Sequence, residues 1–239
     1  MKTFFLTKKT GLIFVGAALL ISFLFFTFTH WERPGTAAAV KKPIYQGNSG
    51  QKAVAINVNV DWGEEFIPAM LEEFKKQNTE VTFFVTGVWA EKNSDLLKIM
   101  KQAGHSIQNH GYKHVHCNIL PKEKVKEQIT KAAAVIESIT GDKTSFFAAP
   151  YGEQNNVITE AAAEINYDLV MWSIDTIDWQ KPVPSIILKR VSGQLHNDAI
   201  ILMHPTESTV KSLPELLPAI TEQGYKILPL HQLIINETE

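Results

Sequence analysis

His110 and His114 stand four positions apart, which puts two imidazoles on one face of a helical turn. That arrangement suits a tetrahedral zinc site with one further protein ligand and an open position for water. Chance is the competing explanation, since the chain has eight histidines. Other titratable groups also follow apolar runs: Asp61 after Val58-Asn59-Val60, Asp175 and Asp178 after Met171-Trp172, and His204 after Leu202-Met203. Pro150-Tyr151-Gly152 follows Phe146-Phe147 in the same way. Taken singly, each has a plain structural reading. Asp61 caps a helix beginning at Glu64, Asp175 and Asp178 are turn residues, and His204 with Pro205 turns the chain after a buried strand. His116 reads as a surface or packing residue, and Cys117 as a buried thiol.

Elements that would carry these groups are legible from periodicity. Val54, Ile56, Val58 and Val60 alternate as in a strand, and Ile67, Met70, Leu71 and Phe74 then recur at helical spacing. Further strands are expected at 81–86, 105–108, 145–148, 168–172, 199–203 and 226–228. Helices are expected at 94–103 capped by Ser94, at 121–140 ended by Gly141, and at 157–165, 184–195 and 214–223. Such alternation predicts one α/β domain over residues 52–239 with a mainly parallel sheet, either doubly wound or a closed or distorted barrel. In both architectures chemistry sits at the carboxyl ends of the strands, where the five groups fall.

Charge divides the chain in two. The whole carries 23 basic and 25 acidic residues, but four basic residues and one acidic lie in the first 40, leaving 19 against 24, a net charge of −5. An acidic body gives no basis for nucleic-acid binding. One cysteine excludes an intrachain disulfide. Gly11 to Thr29 is an uncharged apolar stretch preceded by Lys2, Lys8 and Lys9, so residues 1–30 are expected to form one transmembrane helix, a signal-anchor with the body outside. Cleavage after Ala39, as a signal peptide, is the alternative. Residues 31–51, with Pro34, Gly35, Pro43, Gly47 and Gly50, read as a linker.

In combination the motifs are specific. Asn59-Val60-Asp61-Trp62-Gly63, His110-Gly111-Tyr112-Lys113-His114, Ala148-Ala149-Pro150-Tyr151-Gly152, Asp175-Thr176-Ile177-Asp178-Trp179 and Leu202-Met203-His204 come in the order found in the polysaccharide deacetylases. The body therefore resembles the NodB-homology domain of the family 4 carbohydrate esterases, especially members tied to cell-wall and spore-cortex modification. That resemblance implies a distorted (β/α) barrel, a divalent metal such as zinc, and a cell-wall polysaccharide as partner, outside the membrane. It assigns His110 and His114 to the metal, and Asp61 to the base that activates water. His204, partnered by Asp178, becomes the acid; Tyr151 offers its N–H to the oxyanion; Trp179 and Leu202 wall the acetyl pocket.

Two departures cut into this assignment. The resemblance expects a third metal ligand, an aspartate, where Trp62 stands, and indole has no lone pair to give. It expects an arginine orienting the base where Ala148 stands. Glu64 and Glu65, two and three positions on, are the neighbouring carboxylates that could substitute, and Asp175 is a further candidate. Two functions follow as expectations: a metal-dependent N-deacetylase of wall glycans with weakened or lost activity, or a non-catalytic member that binds the glycan.

Overall fold

The computed structural model describes residues 42–235 together with Ser22. The apolar stretch Gly11–Thr29, Ser22 apart, and the Ala39 cleavage position lie outside the described residues, among which no helix is long and apolar enough to cross a membrane.

One parallel sheet organises the body. Its strands are β1 (Ala53–Val60), β2 (Thr82–Val85), β3 (Ser106–Asn109), β4 (Phe146–Phe147), β5 (Asp168–Leu169), β6 (Ile174–Asp175), β7 (Ala199–Met203) and β8 (Lys226–Ile227). The order is β5-β4-β3-β2-β1-β7-β6, with β8 against the start of β1. Bent into a circle, that is chain order with one break between β5 and β6. A doubly wound sheet reverses direction at a switch point instead, so the order decides for the open, curled (β/α) barrel.

Residue alternation on β1 explains the layers. Val54, Ile56, Val58 and Val60 face outward and pack with Ile67, Met70 and Phe74 of α1 (Ile67–Lys76) and Leu213, Leu216 and Ile220 of α7 (Glu207–Glu222). Ala53 and Ala55 face inward with Phe84, Phe146, Ala148 and Ile200, where only small side chains leave room for neighbours. Leu230 and Leu233 of the terminal α8 (Leu230–Leu233) join that inner cluster, so the barrel is plugged from one end. The remaining helices are α2 (Gly87–Lys92), α3 (Ser94–Gln102), α4 (Lys122–Thr140), α5 (Asn156–Glu164) and α6 (Pro184–Ser192). Phe147, Ile129 and Ile158 form a third cluster under α4 and α5.

Several elements depart from the sequence expectation. α7 starts at Glu207 rather than Pro214, because the Thr206 side chain caps it by accepting from the Thr209 N–H. Pro214 and Pro218 then lie inside the helix, each removing a backbone hydrogen bond, while Leu213, Leu216, Leu217 and Ile220 offset that loss by burial. Ser94 is the first residue of α3, not its cap, and no side chain caps that helix. α2, β6 and α8 are absent from the sequence expectation, being too short to show a period. Within the expected linker, Ile44 bridges Val170 and Gln46 bridges Ala199, so residues 44–46 lie across the break in the sheet.

Candidate functional site

The mouth of the barrel is a cavity of about 470 Å³ lined by Asn59, Trp62, His110, His114, Tyr151, Gly152, Trp172, Asp175, Trp179, Leu202 and His204. Of the residues expected to act together, all but Asp61 and Asp178 line it directly. Asp178 is fully buried and Asp61 is part-buried.

β1 delivers Asp61, Trp62 and Gly63. The Asp61 carboxylate accepts the Thr86 hydroxyl at 2.7 Å, and Thr86 also caps α2 by accepting from the Trp89 N–H. Asp61 therefore caps nothing at α1, whose N-cap is Phe66. Gly63 has φ +81, and a Cβ there would lie 2.2 Å from the Pro205 carbonyl. No other residue fits that contact, and it clamps the loop after β1 against the loop after β7. The clamp sets Trp62 beside His204: the rings are parallel within 5° at 6.1 Å.

β3 and β4 deliver the histidines and Tyr151. His110 is 2% exposed, and its Nδ1–H donates to the Ala148 carbonyl at 2.7 Å, which leaves Nε2 for the cavity. Burial first, then the neighbouring His114, push its pKa down to about 3. Burial also lowers His114, although Asp61 acts in the opposite sense. The two rings sit edge to face at 5.2 Å, and Tyr151 lies against His114 at 4.5 Å. Tyr151 adopts φ 60 and ψ 10, a left-handed conformation costly for a side-chain-bearing residue. Its ring is backed by His116, stacked at 3.9 Å, whose Nδ1 is 2.7 Å from Glu153. The surface or packing reading of His116 holds in both senses. Cys117 is buried, and burial followed by Glu153 pushes its thiol up to about 12, so it is inert as a nucleophile.

On the opposite wall Asp178 is fully buried and satisfied three times. It accepts from the His204 N–H at 2.6 Å, from His204 Nδ1–H at 2.8 Å and from the Thr209 hydroxyl at 2.6 Å. A carboxylate in this position fixes the imidazole's tautomer and aim. Asp175, by contrast, accepts from the Ile177 N–H at 2.8 Å and spends that oxygen on its own turn. Sequence reasoning missed Thr86, Thr209, Asn59 and Trp172. Asn59 was within reach, since it lies two residues before Asp61 on the inward face of β1; Thr209 was not, because its partner is 31 positions away.

A divalent metal does not fit these side chains. His110 has the backbone bond that commonly orients a ligating imidazole, and His114 is adjacent, but a tetrahedral site needs a third protein ligand. Trp62 offers none, Glu64 and Glu65 are exposed on the loop, and among the described residues no group of three His, Cys, Asp or Glu side chains is placed to hold a metal ion.

The polysaccharide deacetylase domain is matched over residues 46–170. The chain belongs to the polysaccharide deacetylase family. A deacetylase relative, the peptidoglycan-N-acetylglucosamine deacetylase of Bacillus cereus, is 28% identical over 200 residues, covering 82% of this chain and 73% of that protein. YlxY of Bacillus subtilis is 40% identical over 193 residues, covering 81% of this chain and 60% of YlxY, so the chain spans less than two thirds of that relative. Among solved structures, a CE4 family pseudoenzyme from Bacillus anthracis is 36% identical with a TM-score of 0.78, covering 80% of this chain and 68% of that one. A mutant of that pseudoenzyme with restored enzymatic activity also has a TM-score of 0.78, at 34% identity and covering 80% of this chain and 71% of its own.

Proposed function

We propose that this chain is a deacetylase-family protein that holds an N-acetylated wall glycan in the barrel mouth and does not hydrolyse it through a metal. One observation carries the reading: at the position where the resemblance expects a carboxylate ligand, the Trp62 indole lies parallel to His204 and leaves two imidazoles without a third ligand. Similarity to a pseudoenzyme and to peptidoglycan deacetylases supports both halves of it, the lost turnover and the glycan. Location outside the membrane, through an anchor at residues 11–29, belongs to the same proposal.

The chain's own residues still have work to do at the ligand. Asp178 holds His204 by Nδ1–H, so Nε2 faces a bound amide or hydroxyl. Trp179, Leu202 and Tyr151 all line the cavity, which supports the roles the resemblance gives them, the first two as walls for an acetyl methyl and Tyr151 as an oxyanion donor. Asp61, tied to Thr86, lacks the arginine whose place Ala148 takes. A weakened enzyme is the second reading, favoured by the complete Asp178–His204–Thr209 network.

Zinc content and acetate release from N-acetylglucosamine oligomers separate the two, measured on the full chain and on Trp62→Asp with Ala148→Arg. A metal-free, silent parent and a metal-loaded, active double variant are expected. Stoichiometric zinc with acetate release by the parent overturns the proposal.

A further inference from the structure

Trp62 does more than remove a ligand. Trp62 is 42% exposed at the cavity mouth, Trp179 52% and Tyr151 57%. A single exposed aromatic needs no explanation, but three on one cavity do. Two of them are held in place. Trp62 leads directly into the Gly63 clamp on Pro205, and Tyr151 is braced by His116, itself held by Glu153. The Gly152 Cβ position would lie 2.5 Å from the Trp172 ring, so the Tyr151 turn rests directly on that indole.

Between the aromatic faces lie hydrogen-bonding nitrogens. His110 donates Nδ1–H to Ala148, so its ring turns an Nε2 lone pair to the cavity, and His204, held through Nδ1–H by Asp178, turns its own Nε2 to the same cavity. His110 is 2% exposed and its Nε2 has no partner among the described residues. With no third ligand to recruit a cation, the His110 lone pair calls for an O–H or N–H donor. A molecule with a C–H face for the aromatic rings and hydroxyl or amide hydrogens around its edge is a pyranose, here an amino sugar.

We propose that Trp62 is a sugar-stacking residue which, with Trp179 and Tyr151, makes the barrel mouth a metal-independent binding site for a pyranose unit of an N-acetylated glycan. This rests on the glycan-binding reading above and adds its mode: the tryptophan that abolishes the metal site supplies the binding surface. His110 accepts a hydrogen bond from the sugar through Nε2, and His204 Nε2 hydrogen-bonds it from the opposite wall.

The test is calorimetric titration of the full chain with the tetramer of N-acetylglucosamine, with and without EDTA. Trp62→Ala is expected to weaken binding about tenfold, the loss of one stacked ring. Trp62→Phe keeps a ring and is expected to stay within about threefold of the parent, while EDTA changes nothing. Near-ultraviolet circular dichroism of each variant establishes that it is folded. If the parent binds and Trp62→Ala binds equally well, or if EDTA abolishes binding, this inference is overturned while glycan binding stands. If the parent does not bind the tetramer, the glycan-binding reading itself fails.

Discussion

Asp178 is the residue on which the retained half of the site depends. Its carboxylate is buried and meets three donors, two of them from His204, so each hydrogen bond is charge-assisted and shielded from water. Asp178→Asn keeps the volume but turns an amide N–H2 toward at least one of those donors. A loss of about 3 kcal/mol in urea unfolding is expected, because a buried donor left without an acceptor costs its full desolvation. Thr209→Val removes one donor and is expected to lose only about 1 kcal/mol; equal losses in the two variants would contradict the carboxylate's central role. His105 makes a different residue-scale claim. Its Nδ1 accepts from the Val81 N–H at 3.2 Å, and burial lowers its pKa to about 4. Since the unfolded value is higher, the unfolded chain takes up a proton that the folded one refuses as pH falls below about 6.5. The stability that His105 contributes is therefore complete above that pH and declines toward pH 4, with His110 acting in the same sense. His105→Gln, which keeps an acceptor for Val81, is expected to flatten the decline in urea midpoint between about pH 6.5 and 4.5; an unchanged slope would place the acid sensitivity elsewhere.

At the scale of elements, the strand ends are aligned by their connecting turns. Gly63 ties the turn after β1 to Pro205 after β7, so the Trp62 and His204 rings share one orientation. Gly63→Ala meets both a left-handed backbone and a carbonyl oxygen at 2.2 Å, and neither can relax by a side-chain rotation. The expected cost is about 2 kcal/mol or more, with weaker binding of N-acetylglucosamine oligomers in the same variant, read by unfolding and by calorimetry. Which elements are legible in the sequence follows from the same physics. β1 is legible because one face packs on helices and the other inside the barrel, so its valines alternate. The start of α7 is not, because Pro214 suggests a first turn that the Thr206 cap has already made seven residues earlier. At the site, Trp62 and Ala148 are visible as departures from a motif, whereas the Thr86 bond to Asp61 and the Tyr151–His116 stack join positions 25 and 35 residues apart. Contacts of that kind leave no local pattern.

For the molecule as a whole, the break between β5 and β6 is the structural weak point, since a sheet edge left open exposes unpaired backbone groups. Residues 44–50 lie over it. The Ile44 N–H donates to the Leu169 carbonyl at 2.8 Å and the Met171 N–H to the Ile44 carbonyl at 2.7 Å, so the strap pairs with the β5 side. It crosses to the β7 side, where the Gly47 N–H donates to the Asp198 carbonyl at 2.8 Å. The Ser49 and Gly50 N–H groups both donate to the Asp198 carboxylate at 3.1 Å, and Asn48 reaches Leu233 and Ile235 at the other end of the chain. The strap therefore belongs to the barrel, and the family match beginning at residue 46 includes most of it. Composition suggests a linker because Gly47 and Gly50 weaken any periodic signal, yet Gly47 is needed: a Cβ there would lie 2.4 Å from the Leu233 carbonyl. Two shortened chains test this, one beginning at Lys42 and one at Lys52. The first is expected to unfold cooperatively and to keep the full chain's oligomeric state by light scattering. The second loses these bonds, uncovers the β5 edge, and is expected to unfold at a urea midpoint lower by more than about 1 M and to self-associate, as about 3 kcal/mol over a typical urea slope requires. Matching midpoints for the two chains would return residues 42–51 to the status of a tether.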